Sequence, residues 1–306
     1  MLPKEFKSEF TRQLADVAYR QWRQLGIGFF PASETSTPHV IDLEALIVFT
    51  LLTAEDNKRL TEGALEWILK NRSWINGSRL KRLGILLGKQ EKKTYDHSVL
   101  VLLDQIRTDS EEQLVRHITT LPGMEKFSRR GILSDLNLND PQLLQLRLRA
   151  LSGVNARAEI LLFLLQHEYG NSNAMARDIG FAQKQVYLIL ENWTHANILH
   201  RIRKGRAGNY SLRNRKHWLD VLNISKTPEP LNWIQAFGLL VRIYFIMQES
   251  EDTYLLSSRS RDIADFADAV LLSQLGIHLP DPAHSEAESY FSPFADTIMK
   301  ALNKLS

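Results

Sequence analysis

The sequence predicts a mainly α chain, with one three-helix unit and a two-stranded β-ribbon set between N- and C-terminal helical regions. Three observations predict it. Apolar residues recur at helical spacing over most of the 306 residues. Only 197–213 alternates with the period of a strand pair. And the stretch RIRKGRAGNYSLRNRK at 201–216 has seven basic residues in sixteen, none acidic, with two glycines inside it.

The elements follow in order. In 3–25, Phe6, Phe10, Leu14, Ala18 and Trp22 recur every four residues, one face of a long helix. IGFFPASETSTPHV, with Gly, two Pro and a Ser/Thr cluster, reads as a loop. Asp42 is placed to cap a helix through LEALIVFTLL. Further helices are expected over 60–71 and 77–88, with a break near Asn71–Trp74, then short ones at 96–106 and 110–119. LNLNDPQLL is a second break before a helical connector at 141–151. C-terminal helices are expected over 230–249, 258–275 and 286–304, with GIHLPDPAH as the loop between the last two.

The middle segment carries the functional signal. ARAEILLFLLQHEYG is a helix with Ile160, Leu161, Leu164 and Leu165 on its apolar face. Ser172 is placed to cap the next helix, NAMARDI, and Gly180 to make the sharp turn after it. FAQKQVYLILENWTHA is the third helix, with Val186, Ile189, Leu190 and Trp193 as its buried stripe. Asn197 stands where a chain leaving a helix often needs a left-handed residue. Strands then flank the turn GRAG; Ile202, Tyr210 and Leu212 are expected to hold the ribbon to the core, with Gly205 and Gly208 at its tip.

Three helices followed by a ribbon make a winged helix-turn-helix, and 156–213 resembles the ArsR-like superfamily of winged-helix transcriptional regulators. The resemblance rests on Ala176, Ile179-Gly180-Phe181, Val186 and Leu190, the exit Ala196-Asn197-Ile198-Leu199, Gly205-Arg206, and Tyr210 and Leu212 in the returning strand. It covers about 60 of the 306 residues. Asn197 departs from the family, where Gly is commoner, and Leu188 stands where Arg or a polar residue is frequent. The resemblance implies that the third helix enters the DNA major groove, where base edges can be read, and that the wing lies along the phosphates. It places Gln183, Lys184, Gln185 and Tyr187 on the reading helix, with Ser172 at the start of the second helix as a further DNA contact, and Arg201, Arg203, Lys204, Arg206 and Arg213 on the wing and its continuation, with Arg215 and Lys216 beyond.

Charge distribution agrees with that expectation. Lys+Arg against Asp+Glu is 22 to 19 in residues 1–150, 10 to 5 in 151–220 and 6 to 11 in 221–306. A local basic surplus says more about partners than the net +3. The absence of cysteine excludes disulfides and thiolate metal sites and fits a reducing cytoplasm. No apolar run has the length of a membrane helix, and the first ten residues have no apolar signal core.

No enzyme motif survives inspection. GILLGKQ at 84–90 is one residue short of a phosphate-binding loop and lacks its Ser or Thr. NGS at 76–78 has no paired carboxylates after it and reads as a helix N-terminus. No two histidines stand at i, i+3 or i, i+4, so metal-ligand spacing is missing. Asp262, Asp265 and Asp268 fit a solvated stripe, and Trp233, Phe237, Leu240, Tyr244 and Phe245 fit helix-packing core. The expectation is therefore three regions: helical 1–150, winged helix 151–222 and helical 223–306. The function expected is DNA-binding transcriptional regulation, non-enzymatic and without cofactor. Double-stranded DNA is the partner, in a homodimer built on helix 3–25 or the C-terminal helices. The alternative is a protein-interaction or antitoxin-like module that uses the same unit to bind protein.

Overall fold

The computed structural model describes residues 2–28, 37–88, 97–204, 207–284 and 289–305; it is mainly helical, 68% helix and 5% strand, with a small three-stranded antiparallel sheet. The N-terminal part holds α1 (Pro3–Gln24), α2 (Leu43–Leu52), α3 (Lys58–Asn71), α4 (Gly77–Gly88), α5 (His97–Gln105), α6 (Glu111–Thr119) and α7 (Leu144–Ser152). The middle part runs α8 (Ala156–Gln166), β1 (Gly170–Asn171), α9 (Ser172–Asp178), α10 (Gln183–His195), β2 (Leu199–Lys204), β3 (Ala207–Leu212) and α11 (Arg215–Val221). The chain ends with α12 (Trp233–Glu249), α13 (Thr253–Asp262), α14 (Ala264–Leu275) and α15 (Phe291–Leu305).

Local chemistry explains most boundaries. Asp42 caps α2 by accepting from the Ala45 N–H at 3.2 Å, and Asn76 starts α4 by accepting from the Arg79 N–H at 2.9 Å, so NGS is a helix N-terminus as expected. Ser110 and Gln113 form a reciprocal capping box on α6. Several assignments differ from expectation. The single helix expected over 258–275 is two, because Ile263 leaves helical geometry at φ −106°, ψ 0°; the bend lets Leu256 of α13 and Val270 of α14 bury in one core. The strand β1 was not expected; two residues give no periodic signal. The helix α11 was expected as a continuation of the basic surface. The loop expected over 27–40 has residues 29–36 outside the described set; the last helix, expected from 286, begins at Phe291 after a turn at 289–290, with 285–288 outside the described set.

The helices surround two cores. The first joins the two ends of the chain: α1 to α6 share it with α12 to α15. Phe6 meets Phe291 edge-on with ring centroids 5.4 Å apart, and Phe49 stacks on Phe237 at 4.3 Å. The second core belongs to the middle part and takes in Val40, Leu144 and Leu148 from outside it. The N- and C-terminal helical regions thus form one body, and the middle part has a core of its own. The apolar stripe of α1 is consumed inside this body, with Phe6, Phe10 and Trp22 at 0% exposure and Leu14 at 2%, and the outer face of the helix is polar, with Lys4, Glu5, Ser8 and Arg12 exposed.

A buried ionic network ties the middle part to that body. Arg79 of α4 donates to Asp42 at 2.6 Å and to Glu44 at 2.6 Å, and its Nε donates to the Ile179 carbonyl at 2.8 Å. Arg149 of α7 donates to Glu44 of α2 and to Glu159 of α8, each at 2.6 Å. Gln145 completes it, donating to Glu159 at 3.0 Å and accepting from the Leu43 N–H at 2.9 Å. Burial alone would raise the carboxyls of Asp42 and Glu44; the adjacent guanidinium groups more than offset it and hold both below the ordinary range.

Candidate nucleic-acid interface

The turn from α9 to α10 is set by Gly180. Its φ is +71°, a conformation that other residues adopt only with strain. A Cβ there would stand 2.9 Å from Leu83 and 3.2 Å from Ile234, so the turn is also seated on α4 and α12. The Phe181 N–H returns to the Ala176 carbonyl at 3.0 Å, and both side chains are buried. The expected cap differs. Asn171, not Ser172, caps α9, accepting from the Ala174 N–H at 2.9 Å. Ser172 lies one residue inside, and its hydroxyl accepts from Gln183 Nε2 at 3.1 Å. That bond ties the first residue of α9 to the first residue of α10.

On α10, Val186, Ile189 and Leu190 are buried against the second core. Gln183, Lys184, Gln185 and Tyr187 are exposed on the outer side, as expected, with Leu188 beside them at 51% exposure. The helix ends as Asn197 turns left-handed at φ +58°. The Ile198 N–H then reaches back to the Trp193 carbonyl at 2.9 Å and the Asn197 N–H to the Thr194 carbonyl at 3.1 Å. This closure aims the chain directly into β2.

The ribbon pairs Leu199 with Leu212, Arg201 with Tyr210 and Ile202 with Asn209. Leu199, Tyr210 and Leu212 are buried. Because strand side chains alternate, Arg201 shares the inner face with Leu199. Its guanidinium is 2.9 Å from the Glu191 carboxylate of α10, which also accepts from the Tyr210 hydroxyl at 2.6 Å. Burial, then the bond to Glu191, pushes the Tyr210 phenol well above its ordinary value. One expectation fails for this reason of parity. Ile202 does not hold the ribbon to the core; it is 53% exposed. Arg201, expected among the phosphate contacts, forms an ion pair on the ribbon's inner side.

Other predicted basic residues divide. Arg213 turns back and donates to the Leu199 carbonyl at 3.2 Å, and Arg215 donates to the Leu165 carbonyl at the end of α8. Lys216 is exposed. Arg203 and Lys204 stand opposite Gly208 and Ala207 in the ladder. Their side chains, and Gly205 and Arg206 entirely, lie outside the described residues. Glu191 is the residue that sequence reasoning missed. Its one signal was the odd-numbered register shared by Leu199 and Arg201, which turns Arg201 toward α10.

The exposed side of this unit thus offers a polar and aromatic helix face, a ribbon of basic sequence and an apolar component from Tyr187, Leu188 and Ile202. No family model, no curated protein and no solved structure matches the chain.

Proposed function

We propose that residues 156–213 form a winged helix-turn-helix that binds double-stranded DNA, and that the protein is a non-enzymatic transcriptional regulator of the cytoplasm. The observation that carries this reading is the single exposed face of α10. Gln183, Lys184, Gln185 and Tyr187 stand there together, opposite a buried stripe, and the ribbon bearing Arg203, Lys204 and Arg206 leaves the same helix through Asn197. Gln can pair with adenine edges, Lys with guanine or phosphate, and Tyr with phosphate or a stacked base. The ribbon's cations would supply salt-dependent affinity by displacing condensed counterions. Titration against random duplex DNA at several salt concentrations tests this. Binding at low salt that weakens steeply as salt rises supports it, and no binding at low salt refutes it.

A second reading rests on one specific observation. Arg201 is spent on Glu191, while Tyr187, Leu188 and Ile202 are exposed at 38%, 51% and 53%. That pattern suits a protein partner better than phosphate, because apolar exposure of this kind marks protein interfaces. Absence of DNA binding together with a tight protein complex lost in Leu188→Glu would favour it.

We further propose a homodimer, since paired readers match half-sites one helical turn apart. With the α1 stripe buried, the interface must use surface outside it. Light scattering on the eluted protein should give twice the chain mass of 35.2 kDa, and a clean monomer at micromolar concentration contradicts the dimer.

A further inference from the structure

Between the two cores lies a cleft of about 690 Å3, lined from all three parts of the chain. That volume suits one small molecule. Leu162, Phe163, Trp233 and Phe266 give it apolar and aromatic walls, and Gln166, Gln235 and Gln274 give it amides. The Trp233 ring is fixed by its Nε1 donating to the Val40 carbonyl at 2.8 Å, and Phe163 is backed by His167, stacked at 4.2 Å.

The charged groups at the cleft are not equivalent. Arg79 and Asp42 are held in the buried network, as is Glu159 by Arg149 and Gln145. Asp178, the last residue of α9, differs. Among the described residues its carboxylate is met by Arg177 Nε at 3.4 Å and Gln235 Nε2 at 3.5 Å, both at the outer edge of hydrogen-bond distance. Its side chain is 24% exposed. Burial is the largest influence on it and raises its carboxyl. A carboxylate so desolvated gains more from a close cation than one in water does.

We propose that this cleft is a binding site for a small aromatic amine, its ring against Phe163, Trp233 and Phe266 and its ammonium group on Asp178. The amides of Gln235 and Gln274 flank the amine's entry, since Gln274 Nε2 lies 3.4 Å from Gln235 Oε1 and Gln235 leads on to Asp178. The site adjoins the turn that carries α10. Ile179, next to Asp178, accepts from Arg79, and Gly180 packs on Leu83 and Ile234. The proposal concerns ligand binding and stands whether or not α10 binds DNA.

The test uses the full chain and four probes: benzylamine and tryptamine, with benzoate and indoleacetate as carboxylate counterparts. Thermal melts and calorimetric titration should show saturable binding of an amine, with a raised Tm, and none of the carboxylates. Asp178→Asn should weaken amine binding by tenfold or more while the unliganded Tm stays near that of the parent. Ala269→Trp, at an exposed position of α14 that lines the cleft, should block the amines by filling it. The proposal is overturned if neither amine binds, if the carboxylates bind as well as the amines, or if both variants bind an amine as tightly as the parent. Loss of binding in Ala269→Trp with retention in Asp178→Asn would refute the assigned role of the carboxylate.

Discussion

Glu44 has no exposed side-chain surface and is shared by Arg79 and Arg149, three residues from three helices. Taking a buried ion pair apart leaves an uncompensated charge, which costs about 3–5 kcal/mol. Glu44→Gln should therefore lower unfolding free energy by about that amount in urea titrations, a large fraction of typical domain stability. The pH dependence has a definite sign. Asp42 and Glu44 are held below their ordinary carboxyl values in the fold, so the unfolded chain binds more protons near those values. Their contribution is complete above an unfolded pKa of about 4 and is lost as pH falls through the depressed folded values. The parent should melt at steadily lower temperature on acidification below that point, and Glu44→Gln should show a shallower fall. Little of this was legible beforehand. Asp42 announces itself as a cap, but Glu44 and Arg149 are 105 residues apart and Arg79 and Asp42 are 37 apart. Nothing local in the sequence marks such pairs. By contrast, the left-handed Asn197 and the turn at Gly180 were readable, because positive φ restricts residue type at one position.

At the scale of elements, α10 and the ribbon share one arrangement. The helix stripe was readable from its period, and so was the existence of the ribbon. The ribbon's facing was not, because a one-residue change of parity exchanges its two sides. That exchange moves Ile202 outward and Arg201 inward to Glu191. It gives a distinction between arginines that composition hides. Arg201→Ala should leave the salt dependence of DNA binding nearly unchanged, since that charge is already paired. If α10 and the ribbon face DNA, Glu191→Gln should strengthen binding at low salt by releasing the Arg201 guanidinium and removing a carboxylate beside the ribbon. Fluorescence anisotropy with a labelled duplex measures both; weaker binding in Glu191→Gln would count against α10 facing DNA.

For the whole molecule, the division into two cores matters most. Residues 223–306 are not an appendage to the middle part; α12 and α15 complete the core begun by α1 and α2. A chain ending at residue 222 should lose that core and with it the helical signal of α1 to α6 by circular dichroism, keeping at most the transition of the middle part's own core, whereas full native helicity of 1–222 would contradict the shared core. The sequence showed helices at both ends but not that they join, because amphipathic period reports a buried face and not what covers it. The shared body also explains how the middle part is held. Ile179 and Gly180 are fixed by α4 and α12 at the base of α10.

The most direct measurement of the DNA-binding claim is the slope of log affinity against log salt for duplex DNA, in the parent and in the combined Arg203→Ala, Lys204→Ala, Arg206→Ala variant. Each phosphate contact contributes about 0.9 to that slope. The account predicts a steep parent slope that flattens by about 2–3 in the variant, with Tm unchanged. A parent that fails to bind at low salt, or a variant whose slope matches the parent's, contradicts it.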